Sequence, residues 1–235
     1  MSAETGRAWR VSGVVFDCDG LLLETESRWT LGERATVEAW GGVWAAGFKQ
    51  QLLGRAVPEA AAVIAAAVGA PPAAVPKIAA ALDQSFSDAL REHGCDAMPG
   101  AIELVHQLRR DGVPVAVASN TRRGQVEEAL HAAGLRDAFD VVVSVGDDGD
   151  DGHPIAPKPA PEVYLRACAL LGVAPAAAIA LEDSPTGVEA ARRAGLRVVG
   201  VPSLPDQALD ADVVVPSLAT LSFDAATREL AWEHA

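Results

Sequence analysis

Cysteine is scarce in this chain of 235 residues. Cys18, Cys95 and Cys168 are the full set, they are scattered, and no two form a C-x-x-C pair. That excludes a disulfide framework and fits a reduced, cytoplasmic protein. Positive charge is also short. Lys and Arg number 19 against 32 Asp and Glu, the formal net charge is -13, and the pI is near 4.7. Such a balance argues against nucleic acid and against anionic membrane surfaces as partners. It also means that the overall field repels a phosphate ester, so any phosphate site has to be built from local cations and backbone N–H groups. Long apolar runs are missing as well. The most membrane-like stretch, residues 60–68, is rich in alanine and too short to span a bilayer. Residues 1–10 are polar and carry no apolar signal core, so no membrane association is expected. There is no internal repeat. Hydrophobic residues at 50% and charged residues at 22% are ordinary for a packed globular chain.

What the sequence does have is concentrated in Val14-Val15-Phe16-Asp17-Cys18-Asp19-Gly20. An apolar run stops at two carboxylates one residue apart, followed by a glycine suited to a turn. A buried strand that delivers acids to its C-terminal end reads this way, and open parallel sheets place their ligand sites at that end. Four further runs, 113–120, 139–145, 177–183 and 198–201, repeat the strand-then-polar pattern, and 213–215 fits a last edge strand. Helical stretches at 100–110, 122–133, 161–171 and 184–194 alternate with them. Gly112, Gly134, Gly172 and Gly195 sit where helix-ending glycines belong, and Pro185 falls early in its helix. The alternation predicts an α/β fold with a parallel sheet covered on both faces. Residues 26–93 break it. They read as helices only (26–40, 47–53, 58–68 and 73–92), inserted directly after the acidic strand, where they would lie over its C-terminal end.

The polar positions at the strand ends are Asp17 and Asp19, Ser119 and Asn120, Lys158, and Glu182 and Asp183. Each has an ordinary explanation alone: Lys158 as a solvated lysine, Ser119-Asn120 and Glu182-Asp183 as helix caps. Together they describe a chemistry. Clustered carboxylates repel, and they either raise one another's pKa or bind a cation. Hard oxygen donors with room for water suit Mg²⁺. Asp17 could then act as a nucleophile, with Lys158 and the Ser119 hydroxyl contacting a phosphoryl group. Asp19 would protonate the leaving oxygen and later activate water.

Phe16-Asp17-Cys18-Asp19-Gly20, Ala118-Ser119-Asn120, Lys158-Pro159-Ala160-Pro161-Glu162 and Leu181-Glu182-Asp183-Ser184 resemble, in order and spacing, the four motifs of the haloacid dehalogenase-like hydrolase superfamily. Gly187 and Ala190-Ala191 follow as expected. The resemblance covers essentially the whole chain. It implies a Rossmann-like parallel sheet of order 5-4-1-2-3, with Asp17 as nucleophile and Asp19 as general acid/base. Mg²⁺ would be held by Asp17, the Asp19 backbone carbonyl and Asp183, with Glu182 near or in the shell. It also implies a catalytic core of residues 1–25 and 94–235 and a four-helix cap at 26–93, like that of the phosphoglucomutase-like branch.

Within that family, Asp19 argues against the true haloacid dehalogenases, which lack it. Thr25 matches a threonine of the β-phosphoglucomutases, but Trp29 stands where those mutases place a catalytic histidine. Hydrolysis of a small phosphorylated metabolite, a sugar or polyol phosphate, is therefore favoured over a sugar-phosphate mutase. A phospho-accepting receiver module, the non-enzymatic alternative, conflicts with the order of the motifs. Asn120, Thr25 and Arg55 are the candidate substrate-binding residues, Arg55 from the loop Gln51-Leu52-Leu53-Gly54-Arg55. Trp29 reads first as a buried residue and second as a stacking surface. Residues 146–154 read as a solvated acidic loop without the calcium-loop pattern.

Overall fold

A computed structural model of the chain describes residues 8–52, 55–149, 152–204 and 206–232. Its strands, in chain order, are β1 (Ala8–Arg10), β2 (Gly13–Phe16), β3 (Val115–Ser119), β4 (Val141–Ser144), β5 (Ala178–Glu182), β6 (Arg197–Gly200), β7 (Val213–Val214), β8 (Leu221–Asp224) and β9 (Glu229–Trp232). The helices are α1 (Glu26–Ala39), α2 (Val57–Ala67), α3 (Val75–His93), α4 (Ala101–Arg110), α5 (Arg123–Ala132), α6 (Glu162–Leu171) and α7 (Pro185–Arg193). None is long and apolar enough to cross a membrane.

Six strands form one parallel sheet of order β4-β3-β2-β5-β6-β7. This is the expected order with the 213–215 run added at the edge. The acidic strand β2 lies in the middle, with Phe16 beside Val117 of β3 on one side and Leu181 of β5 on the other. Every residue of β2, β3 and β5 is buried, which is why these strands read as continuous apolar runs. Their side chains alternate between two cores. Val14, Phe16, Val115, Val117, Ile179 and Leu181 pack with α4 and α5 on one face. Val15, Ala116, Ala118, Ala178 and Ala180 pack with α6 and α7 on the other.

Between β2 and α4 the described residues contain helices and turns but no named strand. Helices α1, α2 and α3 share a third core, with Val37, Ile64, Ile78 and Leu82 at its centre. Close packing is possible because Gly32 of α1 lies against the α3 backbone, where a Cβ would come within 2.9 Å of the Phe86 nitrogen. The helix expected over 47–53 is a single 3₁₀ turn, Lys49–Gln51, and Leu53 itself lies outside the described residues. Seven residues bounded by glycines at 47 and 54 are too few to sustain a helix without strong packing.

The second sheet was not anticipated. Strands β1, β9 and β8 pair antiparallel. Trp9 meets Trp232 edge-on at 4.9 Å, and the Arg197 guanidinium lies 4.9 Å from the Trp9 ring centre. Its signals were present but short: alternating burial in Leu221-Ser222-Phe223-Asp224, and an Asp224 side chain that accepts from the Ala226 and Thr227 amides in the turn. In the loop expected to be solvated, Asp147 is instead held. It accepts from Arg123 Nε at 3.1 Å and Nη2 at 2.7 Å and from the Ser144 amide. Asp150 and Asp151 lie outside the described residues.

The helical layer joins the sheet through Phe86, which is fully buried and stacks on Trp29 with ring centres 3.8 Å apart. Replacing Phe86 by alanine is expected to cost about 3–5 kcal/mol of stability, read as a lowered urea midpoint.

Candidate active site

The site is assembled at the C-terminal ends of β2, β3 and β5. Asp17 follows β2 directly, and its amide still donates to the Leu181 carbonyl at 3.0 Å, so the sheet ladder fixes its backbone. Lys158 arrives from the loop between β4 and α6. Its Nζ lies 2.5 Å from Asp17 Oδ1 and 2.5 Å from Glu182 Oε1. Asn120, just past β3, holds the lysine backbone with its amide: Oδ1 accepts from the Lys158 N–H at 2.7 Å, and Nδ2 donates to the Lys158 carbonyl at 3.4 Å. Burial works against the lysine's charge, but Asp17 and Glu182 outweigh it and leave the pKa raised.

Glu182 is the best-satisfied acid in the cluster. Besides Lys158 it accepts from the hydroxyl of Tyr164 and from Ser184 Oγ at 3.2 Å. Ser184 also caps α7 by accepting from the Gly187 amide, so the helix cap expected of Glu182-Asp183 is made by the next residue. Gly187 is required here by close approach. A Cβ at that position would fall within 2.0 Å of the Glu182 carboxylate. Tyr164 was not anticipated as a site residue. It is the chain's single tyrosine, fully buried on α6, with Lys158 Nζ 5.0 Å from its ring centre. A phenol six residues after the lysine, on a helix otherwise apolar where it meets the sheet, was the available signal.

Asp183 points into the same cluster. Gly20, at φ +81°, lets the chain pass it closely; a Cβ there would lie 2.4 Å from Asp183 Oδ2. Asp19 lines the same cavity and is held by hydroxyls. Its carboxylate accepts from Thr25 at 2.6 Å, Thr121 at 2.8 Å and Ser119 at 3.2 Å. Thr25 and Ser119 are fully buried and outside the lining of the cavity, whereas Thr121, unremarked in the sequence, lines it. Three hydroxyls therefore orient Asp19, two of them from beneath the cavity wall.

A cavity of about 510 Å³ opens over these acids, lined by Asp17, Asp19, Asn120, Lys158 and Asp183 from the sheet and by Trp29, Glu33, Lys49 and Arg55 from the helical layer. Arg55 is exposed and donates through Nε to the Gln51 carbonyl at 2.6 Å. Trp29 is half-buried against Phe86, as first expected, and its ring also forms part of the cavity wall.

Carboxylate oxygens of Asp17, Glu182 and Asp183 lie within 4.8 Å of one another, and all three residues are buried. Burial raises Asp17 well above the ordinary carboxylate range, with Lys158 pulling it down and the neighbouring acids pushing it further up. Burial and Glu182 raise Asp183 to about 7. Lys158 supplies one positive charge against three acids. A hard, all-oxygen donor set with unbalanced negative charge suits a divalent cation of the Mg²⁺ type.

Residues 11–195 match the family model described as haloacid dehalogenase-like hydrolase. The chain belongs to this family. It is 32% identical over 200 residues to protein CbbY of Rhodobacter capsulatus, covering 82% of this chain and 86% of that protein. It is 29% identical to the phosphorylated carbohydrates phosphatase of Thermotoga maritima, covering 81% of this chain and 85% of that one. Among solved structures, CbbY of Rhodobacter sphaeroides (a mutant in complex with xylulose-(1,5)bisphosphate) superposes with a TM-score of 0.77 at 29% identity, covering 89% of this chain and 95% of that one. These relatives put this haloacid dehalogenase-like enzyme in the small-metabolite phosphatase branch of the family.

Because the folded-state pKa of Asp183 is raised, its ionisation opposes folding. That cost is absent below the ordinary carboxylate pKa and complete above about 7. Asp183→Asn is therefore expected to raise the Tm of the metal-free protein by a few degrees at pH 8 and to leave it unchanged near pH 4. MgCl₂ is expected to raise the Tm of the wild type and to do so far less for the variant, as read by calorimetry.

Proposed function

We propose that this hydrolase is an Mg²⁺-dependent phosphatase acting on a small phosphorylated metabolite, a sugar or polyol phosphate, through an aspartyl-phosphate intermediate. The observation that carries the reading is the buried Lys158 bridging Asp17 and Glu182 at the end of the central strand, at the floor of a cavity of metabolite size. In this reading, residues 1–25 and 94–235 form the catalytic core and 26–93 the cap.

Asp17 and Asp183 would hold the cation with the Asp19 backbone carbonyl. Glu182, whose oxygens are occupied by Lys158, Tyr164 and Ser184, stands at the edge of that shell. A bound Mg²⁺ supplies Lewis-acid polarisation of the phosphoryl oxygens and offsets the acids' charge.

A carboxylate oxygen of Asp17 attacks phosphorus, and the bond from phosphorus to the ester oxygen breaks. Lys158 neutralises charge on the transferring group. Asp19, held by Thr25, Thr121 and Ser119, gives its proton to the departing alkoxide. It then takes a proton from the water that attacks the aspartyl phosphate, which returns Asp17 and releases phosphate. Asn120 keeps the lysine in register. Water, rather than a second sugar hydroxyl, is the natural acceptor. Trp29 has no basic nitrogen, and no histidine occurs among the described residues that line the cavity.

Asp17→Asn is expected to lower phosphate release from p-nitrophenyl phosphate at least ~1,000-fold while leaving the circular dichroism spectrum intact. Turnover within tenfold of the wild type would exclude Asp17 as the nucleophile.

A further inference from the structure

The cavity wall opposite the catalytic carboxylates is charged, and the phosphoryl chemistry makes no use of it. Glu26, Trp29 and Glu33 follow one another at i, i+3 and i+7 on α1, so they share one helix face, and all three line the cavity. Lys49 reaches that face from the 3₁₀ turn. Its Nζ lies 2.5 Å from Glu26 Oε1 and 2.7 Å from Glu33 Oε2. Glu33 is buried, with 6% of its side chain exposed, and burial pushes its carboxyl up to about 7 against the pull of Lys49. Glu24 and Arg55 complete the charged lining on this side, so acids outnumber cations there and the charge of Lys49 is shared between two of them.

We infer that Glu33, together with Glu26 and Lys49, is the specificity-determining group of the cavity, receiving an uncharged, hydroxyl-bearing far end of a phosphate monoester and rejecting a second phosphate. The inference rests on the phosphatase reading above and names its substrate class more narrowly.

Carboxylate oxygens accept hydrogen bonds from hydroxyls, and the ammonium of Lys49 offers donors. A polyol end satisfies both at once and brings no charge to be desolvated. A phosphate end would lie against a buried carboxylate in a wall where the acids are in excess, and it would compete with Glu26 and Glu33 for Lys49. The CbbY structure described above holds a bisphosphate, so the inference separates this chain from that relative.

The test compares kcat/KM at pH 8.5, where Glu33 is ionised, with Mg²⁺, for a hexitol 6-phosphate and for a hexitol 1,6-bisphosphate of the same carbon chain, in wild type, Glu33→Gln and Lys49→Met. The wild type is expected to prefer the monophosphate by about tenfold or more. Glu33→Gln removes negative charge and should lower that preference about fivefold. Lys49→Met removes positive charge and should raise it by a similar factor. Opposite shifts cannot come from general damage to the site. Should either variant misfold, competition of the two substrates on the wild-type enzyme reads the same preference. Equal use of both substrates by the wild type, or shifts of the same sign in both variants, overturns the inference while leaving the phosphatase reading in place. No phosphate release from any ester, p-nitrophenyl phosphate included, defeats that reading and the inference with it.

Discussion

Lys158 holds its ammonium group in a place almost closed to water, between Asp17 at the end of the central strand and Glu182 at the end of the neighbouring one. An isolated lysine there would give up its proton, and isolated acids would take one up. Each is tolerable in its charged form because the other is present. The rest of the local structure serves this pairing. Asn120 fixes the lysine backbone, Tyr164 and Ser184 occupy the remaining capacity of Glu182, and Gly187 leaves room for its carboxylate. Breaking a buried pair by removing one partner leaves the other charge uncompensated, and these supporting residues hold the two partners in place.

The pairing is still incomplete as an electrostatic arrangement. Asp17 and Asp183 remain raised after Lys158 has done its part. A fold selected only for stability would not keep three buried acids within 4.8 Å of one another. The surplus charge suits uptake of a cation, and it is a stability cost of the kind that functional sites carry.

Much of this was legible in the sequence because the site sits where strand periodicity ends. Apolar runs that stop at Asp17, Ser119 and Glu182 identify both the sheet and its functional edge, and the observed strand order follows the expected one. Other parts were hidden for physical reasons. Tyr164 is aimed at Glu182 by the packing of α6 on the sheet, a direction that no local pattern carries. Ser119 and Thr25 have the residue types of ligand-binding groups, yet their hydroxyls are turned beneath the cavity wall toward Asp19. Thr121, next in line after the expected Ser119-Asn120 pair, reaches the cavity instead. The antiparallel sheet escaped notice because its strands are only three and four residues long, and β1 lies more than 200 residues before the β8–β9 hairpin that it joins, where Trp9, Trp232 and Arg197 meet in space. Propensity over so few residues says little.

That small sheet bears on how the chain could be rewired. Ala8 stands opposite Ala231 in register, so the first and last described strands are immediate neighbours, on a sheet separate from the one that carries the site. A short flexible linker would bridge them, and the molecule could then be opened at an exposed turn elsewhere without unpairing β2, β3 or β5. The order in which the polypeptide is strung is thus separable from the arrangement of the acids and the lysine at the end of the parallel sheet.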